Sequence, residues 1–119
     1  MRAGSRVLGT AIVGIFVFVG PAASECRDTP GDWKAGDAIY HQTCIDCHGQ
    51  EGHGVRRGVP DFTSGVMAYP VASLAAHIKN GFGSSGRSLA MPPKGGNPAL
   101  TDEDIRNVIA YLRHSFGCG

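Results

Sequence analysis

The sequence contains little charge and no excess of either sign. Charged residues make up 18% of the chain, with 11 Lys and Arg against 10 Asp and Glu, whereas soluble domains average about 25%. A strongly basic stretch that could bind a phosphate backbone is therefore missing. This balance excludes a nucleic-acid-binding protein.

A long hydrophobic run is also missing. The apolar segment from Val7 to Val19 covers about 13 residues before Gly20-Pro21 interrupts it, whereas a membrane-spanning helix needs about 20. A spanning segment is therefore not expected here, although an uncleaved membrane anchor is an alternative interpretation. The protein would be attached to a membrane only if this segment were retained as an anchor.

The first 24 residues follow the order of a secretory signal. Arg2 and Arg6 precede the apolar run, and small residues follow it up to Ser24. We therefore expect a leader at residues 1–24 that is cleaved before Glu25, and a periplasmic protein. The remaining chain, residues 25–119, suits a single domain.

Strand-length alternation of apolar and polar residues is absent, and the patterns predict an all-α domain. Short helices are expected from Trp33 to about Thr43, from Val71 to Asn80, and from an N-cap at Thr101 onward. The two connecting stretches, Gly49–Gly65 and residues 81–98, are rich in glycine and proline and are predicted to lack regular structure. The third helix has the clearest apolar stripe, formed by Ile105, Val108, Ile109, Leu112 and Phe116.

Such long loops leave a domain of this size with too little apolar surface to order itself. A large, planar, apolar cofactor would supply it, and Cys44-Ile45-Asp46-Cys47-His48 offers an attachment point. Two thiols at this spacing can add to the vinyl groups of a haem, and the adjacent imidazole can bind its iron. A thioredoxin-type redox pair would need a preceding strand, and a zinc site would need a second Cys/His pair. A structural disulfide across the turn is the remaining alternative.

A haem iron in such a site needs a sixth ligand. Met91 is favoured because it precedes Pro92-Pro93, and prolines can fix an extended strap across a haem face. Met67 is more typical of a gap-filling core residue. An open sixth position is also possible. The other candidates are His41, His53, His77 and His114.

These residues resemble the class I c-type cytochromes from about Trp33 to Phe116. In that family a glycine stands eight residues, and an aromatic residue four residues, before the first haem cysteine, as Gly36 and Tyr40 do here. The last helix carries a Tyr-Leu pair, matched by Tyr111-Leu112, and a Met-Pro strap matches Met91-Pro92. The resemblance implies the cytochrome c fold, with the first and last helices crossing at the glycine around one covalently bound haem c.

The resemblance also implies the role of the site. Cys44, Cys47 and His48 would hold the haem, His48 and Met91 would be the axial ligands, and the Pro60 carbonyl would accept a hydrogen bond from the imidazole. The expected function is single-electron transfer, not catalysis. The alternative is a haem enzyme or gas-binding sensor with an open sixth position.

Expected partners are redox proteins: a periplasmic dehydrogenase, an oxidase or a respiratory complex. The cytochrome would be a monomer or the small subunit of a hetero-complex. A basic docking patch around the haem edge is one interpretation of Arg56, Arg57, Arg87 and Lys94. Ordinary solvated charges are the alternative, and Lys94 could instead neutralise a haem propionate.

Two cysteines remain outside the motif, Cys26 and Cys118. Both chain ends of the family lie near the helix crossing, which implies a Cys26–Cys118 disulfide. Lipid attachment at Cys26, a bridge to another subunit, and free thiols are the alternatives.

Overall fold

A computed structural model describes residues 4, 9, 11–17, 26, 28–83 and 90–118. Within these residues no β-strand forms, and the only strand-like pairing is an isolated bridge between Phe82 and Met91. The all-α prediction is therefore confirmed. The helices are α1 (Trp33–Ile39), α2 (Ile45–His48), α3 (Val71–Asn80) and α4 (Asp102–Phe116).

The first helical segment is longer than predicted. Asp32 caps α1, its Oδ1 accepting a hydrogen bond from the Lys34 N–H at 2.9 Å. The chain then continues through a π-helical turn, Tyr40–Cys44, and α2. The predicted end near Thr43 was wrong, because the helical path ends only at Gly49, whose φ of 81° stops it. The Cys-x-x-Cys-His motif is therefore built on continuous helix.

The last helix has the predicted start and the predicted buried stripe. Thr101 and Asp104 form a capping box, in which the Asp104 N–H donates to Thr101 Oγ1 at 3.1 Å. The Thr101 N–H donates in return to Asp104 Oδ2 at 2.8 Å. Ile105, Val108 and Ile109 are buried in the core with Leu112. This face of α4 becomes one wall of the cavity described below.

Helices α1 and α4 cross at Gly36. A Cβ built on Gly36 would overlap the Asn107 carbonyl oxygen and lie 2.8 Å from Tyr111 Cβ. The rings of Tyr40 and Tyr111 meet beside the crossing, with centroids 5.1 Å apart. The crossing that the resemblance implied is therefore confirmed, since only glycine allows this approach.

The disulfide between Cys26 and Cys118 is also formed, with the two Cα atoms 6.3 Å apart. This separation lies within the ordinary range for a disulfide. The bridge ties the segment before α1 to the end of α4. The prediction of an intramolecular bridge is confirmed.

The first long connection, Gly49–Gly65, is less irregular than predicted. It contains a 3₁₀ turn at Phe62–Ser64, and the prediction of no regular structure was wrong for this turn. Asp61 accounts for it, because its Oδ1 accepts from the Thr63 N–H at 2.8 Å. A second 3₁₀ turn follows at Val66–Ala68. The turn at Pro93–Gly96 in the other connection has non-helical backbone at Lys94 and Gly95, with φ of 55° and 61°.

Residues 11–17 have no regular secondary structure and expose Ile12, Val13, Ile15, Phe16 and Val17. Across the described ranges, no helix has the length and apolar character needed to cross a bilayer. The expected cleavage point at Ser24 and Glu25 lies outside the described residues.

Candidate haem site

The end of the π-helical turn and helix α2 bring the three motif side chains, Cys44, Cys47 and His48, to one cavity. Cys44 is half-buried, Cys47 is exposed, and neither belongs to a disulfide. Burial, and then the neighbouring Cys47, raise the pKa of the Cys44 thiol to about 11. The thiol is therefore neutral at physiological pH, and both sulfurs are available for covalent attachment. The structural-disulfide alternative for this pair is not supported.

His48 is buried, with 8% of its surface exposed. Its ring stacks on Phe62 with centroids 4.4 Å apart and an interplanar angle of 18°. Burial lowers the pKa of the imidazole, which favours the neutral ring that a metal requires. Phe62 is a site residue that the sequence analysis did not identify.

The Nδ1 atom of His48 is buried and has no hydrogen-bond partner among the described residues. The expected hydrogen bond to the Pro60 carbonyl is therefore not formed here, although Pro60 and His48 line the same cavity. Stacking on Phe62 fixes the plane of the ring independently of that bond. A buried nitrogen without a partner is costly in a protein interior, and the Pro60 carbonyl is the acceptor that the family resemblance implies for it.

A cavity of about 420 Å³ adjoins the motif. This volume lies in the range of cofactor-binding pockets. Its lining is mostly apolar and comes from the π-helical turn, α2, α3, α4 and both long loops. It includes Cys44, Cys47, His48, Pro60, Phe62, Val66, Met67, Tyr69, Leu74, Ile78, Phe82, Ala90, Met91, Pro92, Leu100, Val108 and Leu112.

Met91 lies on the wall formed by the proline-rich strap. Its backbone is fixed by two hydrogen bonds with Phe82, from the Phe82 N–H to the Met91 carbonyl at 3.0 Å and from the Met91 N–H to the Phe82 carbonyl at 2.8 Å. Gly81 permits this approach, since a Cβ there would lie 2.6 Å from the Met91 carbonyl oxygen. The strap is therefore held in place by its backbone as well as by its prolines.

Three of the six candidates for the sixth ligand line the cavity, and three do not. Met67 and His77 line it together with Met91. The other three histidines are engaged elsewhere and are not part of this lining. His41 contacts Asp37 at 2.9 Å, His53 contacts Asp61 at 3.0 Å, and the ring of His114 stacks on Trp33. Met67 is 2% exposed and packs in the main core, as expected of a core methionine.

Three of the four basic residues of the predicted docking patch, Arg56, Arg57 and Lys94, lie among the described residues. Arg56 and Lys94 line the cavity, and Arg57 is exposed. Lys94 also donates to the Pro98 carbonyl at 3.4 Å. Arg87 lies outside the described residues.

These features together fit a covalently attached haem. The cavity is apolar, and two thiols and a neutral imidazole border it. The zinc alternative lacks ligands, because the described residues contain no group of three His, Cys, Asp or Glu side chains that could hold a metal ion. A helix, not a strand, precedes the motif, so the thioredoxin alternative is also unsupported.

Comparison with known proteins agrees with this chemistry. The family model described as cytochrome C oxidase, cbb3-type, subunit III matches residues 31–112. This chain belongs to the class I c-type cytochromes. The cytochrome therefore carries covalently bound haem c, and Cys44 and Cys47 fit the cysteine positions of the family's attachment motif.

Three similar proteins illustrate the range of the family. Cytochrome c-555 of Chlorobaculum thiosulfatiphilum is 33% identical over 68% of this chain and 93% of its own length. The cbb3-type cytochrome c oxidase subunit CcoP of Rhodobacter capsulatus is 35% identical over 84% of this chain. The match covers only 33% of that subunit, so this cytochrome spans about a third of it. The crystal structure of cytochrome c6 from the diatom Phaeodactylum tricornutum is 27% identical, with a TM-score of 0.51 over 71% of this chain and 94% of that one.

Proposed function

We propose that this cytochrome is a periplasmic single-electron carrier with His48 and Met91 as axial ligands. The observation that carries the proposal is the convergence of Cys44, Cys47, His48 and Met91 on one apolar cavity. Cys44 and Cys47 would form the thioether bonds. Haem, when bound, supplies an Fe(III)/Fe(II) couple. Two protein ligands leave no iron position for a substrate, which favours electron transfer over catalysis.

The protein contributes rigidity to this site. The Phe62 ring holds the plane of His48, and the bridge to Phe82 holds the backbone of Met91. A preorganised ligand pair keeps nearly the same geometry in both oxidation states. A thioether ligand also favours the reduced state over a second imidazole, so we expect a fairly positive reduction potential.

Export to the periplasm is part of the proposal. The order of residues 1–24 is that of a cleaved secretory leader, with the mature domain at residues 25–119. The Cys26–Cys118 disulfide supports this location, because such bridges persist in oxidising compartments.

The partners would be redox proteins: a periplasmic dehydrogenase, an oxidase or a respiratory complex. The CcoP relative is named as an oxidase subunit, which favours a place near a terminal oxidase, either as a diffusible monomer or within a hetero-complex. Copurification of a tagged cytochrome from its native membranes and periplasm separates these two cases. A stable stoichiometric complex would identify a subunit, and a free cytochrome would identify a carrier.

Paired methionine variants test the ligand assignment. We expect Met91→Ala to lower the reduction potential and to let carbon monoxide bind the ferrous iron, because the thioether is lost. Met67→Leu is the matched control, since it changes the other methionine that lines the cavity and should leave both properties unchanged. A potential that falls with Met67→Leu and not with Met91→Ala would overturn the assignment. Carbon monoxide binding by the unmodified protein would instead favour an enzyme or a gas sensor.

A further inference from the structure

Arg113 is a buried charged residue in the last turn of α4. It is 5% exposed. Its Nε donates to the Met67 carbonyl at 3.0 Å, and its Nη2 donates to the Tyr69 carbonyl at 2.7 Å. One guanidinium therefore fixes two carbonyls of a single short loop.

That loop forms part of the haem cavity. Met67 belongs to the 3₁₀ turn Val66–Ala68, and Tyr69 follows it directly. The side chains of Met67 and Tyr69 both line the cavity, whereas Arg113 is not part of the lining. Arg113 thus binds the backbone of this cavity wall and does not itself line the cavity.

The same guanidinium contacts the segment before α1. Its Nη1 donates to Thr29 Oγ1 at 2.9 Å, and the Thr29 hydroxyl donates to the Cys26 carbonyl at 3.2 Å. Cys26 is bridged to Cys118 two residues beyond α4. The arginine therefore joins the cavity wall, the disulfide-bonded lead-in and the last helix.

We propose that Arg113 is a positioning residue for the haem pocket, which holds the Met67–Tyr69 loop against the haem. The planar guanidinium suits this role, because its donors point in fixed and different directions, whereas a lysine offers one compact ammonium. The inference rests on the proposed function only in taking the cavity as the haem site. It does not depend on which residue is the sixth ligand.

Methyl-labelled methionine provides a direct test in the ferrous holoprotein. The sequence has three methionines, and cleavage of the leader would leave Met67 and Met91. Each methyl carbon and its protons report their position over the haem through the ring-current shift in the NMR spectrum. Met67→Leu and Met91→Leu assign the two signals. We expect Arg113→Lys to move the Met67 signal, and Arg113→Gln to move it further or split it.

Two controls separate positioning from general destabilisation. Arg106→Gln removes an exposed arginine from the same helix and should leave the Met67 signal in place. Thr101→Ala removes the N-cap of α4 at a distance from the loop and should lower stability without moving that signal. If Arg113→Gln fails to fold, Arg113→Lys decides the question, because it retains the charge.

A Met67 signal that is the same in Arg113→Lys and in the unmodified protein would overturn the proposal. An equal displacement in Thr101→Ala would also overturn it, since the effect would then be general loosening. The Met91 signal tests the proposed function separately. If it lacks the large shift of an axial ligand while the Met67 signal still responds to Arg113→Lys, the ligand assignment fails and the positioning role stands.

Discussion

Replacing Gly36 with alanine tests the close crossing of α1 and α4. The new Cβ would overlap the Asn107 carbonyl oxygen, approach the Asn107 carbonyl carbon to 2.5 Å and approach Tyr111 Cβ to 2.8 Å. Two of these three atoms belong to the backbone of α4, so neither can turn away as a flexible side chain would. The helices must separate instead.

The magnitude follows from two opposing effects. Overpacking of a core costs roughly 1–3 kcal/mol, and contact with backbone favours the upper end of that range. Alanine is a better helix former than glycine by about 1 kcal/mol. We therefore expect Gly36→Ala to lower the free energy of unfolding by about 2 kcal/mol. Separation would also loosen the contact between Tyr40 and Tyr111, whose ring centroids are 5.1 Å apart.

Guanidinium unfolding of the ferric holoprotein, followed by far-ultraviolet circular dichroism, measures this change. Ala38→Gly is the matched control, because residue 38 is exposed on the same helix and reports helix propensity alone, with a loss of about 1 kcal/mol. A Gly36→Ala protein as stable as the unmodified one, or more stable, would refute the crossing geometry.

Two further predictions concern stability. The Cys26→Ser, Cys118→Ser double variant should lose about 2–5 kcal/mol, since the bridge joins residues 92 apart, and an unchanged guanidinium midpoint would contradict this. Hydrogen bonds from Thr63 and His53 hold the pKa of Asp61 at about 2. The ionised Asp61 therefore contributes to the free energy of unfolding above the ordinary carboxyl pKa, and this contribution is lost as the pH falls toward about 2. The free energy of unfolding, measured from about pH 5 downward, should therefore fall less steeply in Asp61→Asn, and parallel profiles would disprove this coupling.

Local signals in the sequence were sufficient for much of the fold. The capping box at Thr101 and the apolar stripe of α4 act within one helix, so their pattern predicts it directly. Helix α3 likewise runs from Val71 to Asn80 as expected, with Pro70 and Gly81 at its two ends. The helix crossing at Gly36 depends on tertiary contact, and the family resemblance supplied it.

Other features depend on contacts that leave no sequence pattern. The helical path runs on through the π-helical turn to His48, where propensity alone gave no reason to pass Thr43. Arg113 binds two backbone carbonyls and a hydroxyl, and a backbone carbonyl is present at every position. The stacking of His48 on Phe62 joins residues on opposite sides of a glycine-rich loop. Such partners become visible only once the loop is folded.

Several predicted site residues lie together in the structure. Cys44, Cys47, His48, Pro60 and Met91 all line one cavity, and their individual roles toward the haem stay predictions. Met67 and His77, which were alternative candidates for the sixth ligand, line the same cavity. The expected bond between His48 and Pro60 is not formed in the structure.

The absorption spectrum of the purified holoprotein tests the central claim most directly. The protein is recorded oxidised, then reduced, then reduced under carbon monoxide. Ligation by His48 and Met91 predicts a weak long-wavelength sulfur-to-iron band in the oxidised protein and a reduced spectrum that carbon monoxide leaves unchanged. A missing band, together with ready binding of carbon monoxide, would contradict the account and indicate an open iron.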